Sequence, residues 1–226
     1  MTSPIIVALD FDDMCACEAL LEQLSPELCR LKIGLGMFVR FGHEFVSTLV
    51  QRGFDVFLDL KFHDIPHQVG LACRMAADLG VWMMNVHACG GPAMMSAARE
   101  AVASGGPILL AVTVLTSMSQ TEFSDIINDK PIAAQVSQLA QMTQQCGLDG
   151  VVCSALEVAN LRQQLGQEFC LVTPGIRLTK TSNDDQTRIM TPADALAAGS
   201  NYLVIGRPIT QSKEPVKVLQ QILELC

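Results

Sequence analysis

Residues 58–66, LDLKFHDIP, place three ionisable side chains, Asp59, Lys61 and Asp64, at the end of an otherwise apolar strand. Side chains alternate faces along a strand, so Phe57, Asp59 and Lys61 share one face and Leu58, Leu60 and Phe62 the other. Burying an Asp beside a Lys is costly and contributes nothing to packing. A structural ion pair would explain two of these charges. A chemical role would also explain the second Asp and the further cation Lys32. Opposite charges within ~4–6 Å of one another favour the charged forms. A Lys held protonated between carboxylates can give its proton to a carbon or oxygen centre. A carboxylate fixed beside an anionic substrate disfavours the ground state relative to a transition state that loses that charge.

Two further stretches suit an anion. In YLVIGRP, residues 202–208, Gly206 allows close backbone approach and Arg207 adds a bidentate cation. PGIR, residues 174–177, runs into the polar segment LTKTSNDDQTRIMT, residues 178–191, which reads as a long lid closing on a phosphate, with Arg177, Gln186 and Arg188 available to it. His87, beside Cys89 and the Gly90-Gly91 pair, reads as a structural hydrogen-bond partner rather than a catalyst. His43, His63 and His67 lack metal-ligand spacing with a carboxylate, and Cys15-x-Cys17 has no second pair to complete a metal site.

These residues need a scaffold. Short β-rich apolar runs at 5–9, 29–33, 54–60, 82–87, 108–115, 150–153, 170–173 and 202–205 alternate with helical patterns near 14–24, 37–51, 66–79, 92–103, 132–146, 155–165, 192–198 and 214–225. Near-continuous apolar strands separated by helices predict a parallel sheet, and eight of them predict a closed (β/α)8 TIM barrel, an α/β fold of one domain over residues 1–226. An open doubly wound sheet would carry fewer strands and a Gly-rich first turn, which is absent. Barrel chemistry sits at the C-terminal strand ends. Read in order, those ends are Asp10, Lys32, Asp59 with Lys61, Asn85 with His87, Thr113 with Thr116, Ser154, Thr173 and Gly206-Arg207. Only 17% of the chain is charged, so this concentration of charge predicts one polar, functional mouth.

With 226 residues, half of them hydrophobic, the chain can bury a full core. A net charge of -8 argues against a nucleic-acid or anionic-membrane surface. Nine cysteines, an odd number with no CxxC, suit a reducing cytoplasm and small apolar packing roles. Met83, Met84, Met94 and Met95 read as core filler. The start MTSPIIVALDF has no basic leader and is not expected to be a signal peptide. Residues 101–121 lack charge after Glu100, but Gly105, Gly106 and Pro107 leave a run too short to span a bilayer.

LDLKFHDIP, together with VALDF, RLKIG, NVHACGG, AVTVLTS, LVTPGIR, DDQTR and YLVIGRPIT, resembles the orotidine 5'-phosphate decarboxylases along the whole chain and in order. The resemblance implies a cofactor-free, metal-free lyase that converts orotidine 5'-monophosphate to uridine 5'-monophosphate (UMP) and CO2, the last step of de novo pyrimidine synthesis. It also implies a cytoplasmic homodimer with active sites at the subunit interface. Matched residue by residue, it makes Lys61 the proton donor to C6 of the pyrimidine and Asp59 the carboxylate beside the departing CO2. Asp64 would act from the partner subunit, with Ile65 near the base. Asp10 and Lys32 would contact the ribose, Lys32 also joining the charge chain, and Thr116 would read the pyrimidine edge. Gln186, Gly206 and Arg207 would grip the phosphate, with Arg177 in the closing loop. Gln68 stands where the resemblance calls for a Thr near the ribose. The alternatives are a metal-dependent sugar-phosphate decarboxylase or hexulose-phosphate synthase, which places an acidic residue where this chain has Lys32, and a nucleotide-binding protein without turnover, against which the intact Asp59, Lys61 and Asp64 speak.

Overall fold

The computed structural model describes residues 3–127, 130–178 and 190–225. The strands are β1 (Ile5–Leu9), β2 (Arg30–Gly34), β3 (Val56–Phe62), β4 (Met83–His87), β5 (Ile108–Val112), β6 (Gly150–Val152), β7 (Cys170–Thr173) and β8 (Tyr202–Ile205). Each runs parallel to the next, and β8 pairs back with β1 to close the barrel. The helices are α1 (Met14–Leu21), α2 (Leu35–Gln51), α3 (Pro66–Asp78), α4 (Gly91–Ala101), α5 (Gln120–Ile127), α6 (Ile132–Gln145), α7 (Val158–Leu165), α8 (Pro192–Ala197), α9 (Arg207–Thr210) and α10 (Pro215–Glu224).

The strands are apolar on both faces because both faces are covered. Ile5, Val7 and Leu9 point outward into the layer shared with the helices, where Leu31, Ile33, Val56 and Leu58 join them. Ile6 and Ala8 point inward with Phe57, Met83, Leu110, Val112, Val152, Val172 and Val204, filling the lumen with side chains. At the N-terminal end the lumen is plugged by Arg30, whose guanidinium lies 4.4 Å from the Trp82 ring centre and 5.0 Å from that of Tyr202. Its Nε donates to Asp55 Oδ2 at 3.1 Å, and it also donates to the Ser3 carbonyl. A closed bottom leaves the C-terminal end as the open one.

Several boundaries differ from the sequence expectation, each for a local reason. β5 ends at Val112, so Thr113 to Thr116 form a loop rather than the end of a strand. The helix expected over 155–165 is a 3-10 turn, Ala155–Glu157, followed by α7. The side chains of Ser154 and Glu157 cap each other's backbone there and fix a tight entry. α2 is broken at Gly42, whose φ of 71° is open to glycine alone at low cost. Helix α5, QTEFSDII, was not anticipated, since its single buried residue, Phe123, provides no periodic signal. None of the eight described cysteines forms a disulfide, and five of them are buried. No helix among the described residues is long and apolar enough to cross a membrane.

Candidate active site

The open end of the barrel holds a cavity of about 500 Å³, within the usual range for small-ligand sites. Phe57, Val112, Val152 and Val204 make its floor, and Asp10, Lys32, Asp59, Lys61, Thr116, Arg177, Gly206 and Arg207 line its walls. Four of the wall residues form one chain of alternating charge across three adjacent strands. Lys32 Nζ lies 3.4 Å from Asp10 Oδ1 and 3.5 Å from Asp59 Oδ2. Lys61 Nζ lies 2.8 Å from Asp59 Oδ1. Lys32 is 8% exposed, so its charge relies on these two carboxylates for solvation. Gly34 makes room for it, because a Cβ at that position would meet Lys32 Nζ at 3.1 Å.

Lys61 is held in an unusual way. It is the one described non-glycine residue with a positive φ, 53°. Such a conformation costs on the order of 1–3 kcal/mol and persists where surrounding structure imposes it, most often at working sites. β3 slips against β4 at this point: Leu58 pairs with Met84, but the next pair is Phe62 with Val86. The Lys61 N–H, deprived of a regular ladder partner, donates to Asn85 Oδ1 at 2.8 Å. Asn85 Nδ2 donates in turn to Asp59 Oδ1 at 2.7 Å. The expected shared face of Phe57, Asp59 and Lys61 is found, although Lys61 reaches it through the irregular backbone rather than strand alternation.

Asp64, Ile65 and Gln68 do not line the cavity of their own chain. They lie in an exposed run at the start of α3, with the Asp64 carboxylate accepting from the Ile65 N–H at 2.6 Å. Gln186 and Arg188, together with residues 179–189 of the expected lid, lie outside the described residues. The expectation that every polar strand end converges on the mouth needs correction. Thr113 Oγ1 donates to the Val152 carbonyl, Thr173 Oγ1 bonds Ser200 Oγ, and Ser154 caps the 3-10 turn. Each satisfies buried backbone or hydroxyl partners away from the cavity.

His87 takes the structural role expected of it. Its Nδ1 accepts from the Cys89 N–H, and its ring stacks on His63 at 5.3 Å between centres. Burial, then His63, then Lys61 hold its pKa below the ordinary imidazole value. Ser117 and Gln211 on the wall carry no sequence expectation, and Asn85, expected only as one of the polar strand ends, supports Lys61 and Asp59 by hydrogen bonds. For Asn85 a signal existed, since a fully buried amide within MMNVH must be hydrogen-bonded. Ser117 and Gln211 gave none. Among the described residues no cluster of three or more His, Cys, Asp or Glu could hold a metal ion.

The arrangement offers an ammonium donor, a carboxylate beside it and a cationic far wall at Arg177 and Arg207. That suits a substrate with a phosphate at one end and a developing negative charge at the other.

Residues 3–222 match the Orotidine 5'-phosphate decarboxylase / HUMPS family. The chain is 56% identical to the orotidine 5'-phosphate decarboxylase of Tolumonas auensis, over 98% of both proteins. It is 55% identical to that of Neisseria meningitidis serogroup A, over 97% of this chain and 91% of the relative. Among solved structures, the orotidine 5'-phosphate decarboxylase from Lactobacillus acidophilus is similar at a TM-score of 0.87 and 37% identity, over 98% of each chain.

Proposed function

The chain belongs to the Orotidine 5'-phosphate decarboxylase / HUMPS family, and from that premise we propose that it is a carboxy-lyase converting orotidine 5'-monophosphate to UMP and CO2, the last step of pyrimidine nucleotide synthesis, without a cofactor. The observation that carries this reading is the alternating chain Asp10, Lys32, Asp59 and Lys61 at the mouth of the cavity.

When the bond between C6 and the carboxylate breaks, the electron pair stays on a ring carbon with no conventional sink. The Lys61 ammonium, fixed on Asp59, stabilises that pair and delivers its proton to C6, and solvent then reprotonates the amine. Asp59 faces the substrate carboxylate, and their repulsion is relieved as CO2 leaves. Lys32 neutralises the second oxygen of Asp59 and, with Asp10, reaches the ribose hydroxyls. Thr116 reads the pyrimidine edge. Gly206 and Arg207 grip the phosphate, joined by Gln186 and by Arg177 on closure, so that binding energy remote from C6 presses the substrate carboxylate toward Asp59.

Asp64 completes the array from a second subunit of a homodimer. Its exposure outside its own cavity supports this, as does the apolar surface beside it: Ile65, Leu71 and Met75 are 64%, 41% and 50% exposed. Leu71 and Met75, four residues apart, share one face of α3, with Ile65 at its N-terminus, and clustered exposed apolar side chains mark an association surface. Ile65 would lie near the base and Gln68 near the ribose of that shared site.

A metal-dependent sugar-phosphate enzyme of the same family is the second reading. Lys32 speaks against it, because a buried ammonium 3.5 Å from Asp59 would repel a divalent cation from that carboxylate. The test follows the ultraviolet absorbance of orotidine 5'-monophosphate on mixing with the protein in excess chelator. Turnover is expected, and a flat trace with folded protein would sink the proposal.

A further inference from the structure

We propose that Asn85 is a positioning residue for this reaction: one side-chain amide locks the backbone of Lys61 against the carboxylate of Asp59. The proposal rests on the decarboxylase reading above. Asn85 is fully buried and lies inward on β4, on the same face as Met83. It sits opposite the slip in β3, where the residues between Leu58 and Phe62 face only Asn85 between Met84 and Val86. A regular ladder would satisfy the Lys61 N–H with a backbone carbonyl. Here the amide oxygen of Asn85 does so, which lets Lys61 stay at a φ of 53°. The amide nitrogen binds the same Asp59 oxygen that receives Lys61 Nζ. The three groups close a ring that fixes Lys61 at both its backbone and its ammonium end.

Without that ring, Lys61 relaxes toward an ordinary extended conformation and its ammonium leaves the line to C6. A misplacement of about 1 Å can cost roughly 100-fold in rate. Asn85→Ala removes both bonds. The isosteric Asn85→Asp keeps an acceptor for the Lys61 N–H and replaces the donor to Asp59 with a second carboxylate. Both variants are expected to lose roughly 100-fold in kcat per UMP-binding site, with the Kd for UMP changed less than about threefold, because phosphate and ribose contacts lie elsewhere. A purely structural role would lower Tm and the fraction of binding-competent protein but leave kcat per competent site intact. A kcat within about threefold of wild type in both variants would overturn the proposal. So would a crystal structure of the Asn85→Ala protein with Lys61 still at positive φ and its ammonium on Asp59. Absence of turnover in the wild-type protein would sink the decarboxylase reading instead, and the same crystal structure would then decide the clamp.

Discussion

Gly34→Ala probes the charge chain without touching a charge. The added methyl would lie 3.1 Å from Lys32 Nζ and 3.4 Å from Asp10 Oδ1. Gly34 has a φ of -89°, so alanine brings no backbone strain, and the whole effect falls on the ammonium. Suppose Lys32 retreats by about 0.5 Å. At an effective dielectric constant of about 20, each contact near 3.5 Å then loses about 0.6 kcal/mol. The Asp59 contact counts in full, since that side chain is 13% exposed. The Asp10 contact is discounted, because Asp10 is 67% exposed and solvent screens it. The total lies between about 0.6 and 1.2 kcal/mol, a loss of about three- to eightfold in kcat/KM. Steady-state decarboxylation assays on wild type and variant would measure it, with Tm as the control for folding. An unchanged kcat/KM would refute the idea that Lys32 must sit between the two carboxylates. A fall in Tm by many degrees would refute the claim that the substitution is strain-free.

Lys61→Ala is expected to abolish turnover while still binding UMP, measured by titration calorimetry, and near-normal turnover would remove Lys61 from the proton-donor role. Mixing Lys61→Ala with Asp64→Ala subunits should restore partial activity, because one shared site of a heterodimer carries neither lesion; no recovery after verified subunit exchange would count against Asp64 acting across the interface. Arg30→Met, at the far end of the barrel, should cost about 2 kcal/mol through lost stacking and hydrogen bonds, or roughly 4–8 °C in Tm, with kcat unaffected; a changed kcat would show that the plug is coupled to the mouth. Burial pushes the thiols of Cys17, Cys29, Cys73 and Cys170 from 9.0 up to about 12. The folded state therefore keeps protons that the unfolded chain releases, so their contribution to stability is intact below pH 9 and is lost as pH rises from there toward 12. Denaturant titrations across that range should show the decline, and alkylation at pH 8 should label exposed Cys15 long before these four.

The sequence by itself determined what depends on local periodicity. Runs such as IIVAL, apolar at every position, and CLVT, apolar up to its final Thr173, identify strands covered on both faces, and eight such runs separated by helical patterns leave little room for any architecture but the barrel. The alternation in LDLKF was enough to aim Asp59 to the same face as Phe57, and the strand-end rule was enough to place Asp59 and Lys61 at the mouth. Tertiary structure decided everything that needs two distant segments to meet. Thr113, Ser154 and Thr173 lie at or just beyond strand ends, yet the hydroxyls of Thr113 and Thr173 turn to neighbours on other segments and that of Ser154 caps the following turn. Asp64 is three residues beyond Lys61 and five beyond Asp59, both in the cavity wall, and is still exposed outside it, because β3 ends at Phe62. The left-handed backbone of Lys61 and its clamp by Asn85, 24 residues away, follow from how far β3 slips along β4. That register is set by the packing of both strands against the rest of the barrel, and no stretch of either strand encodes it alone.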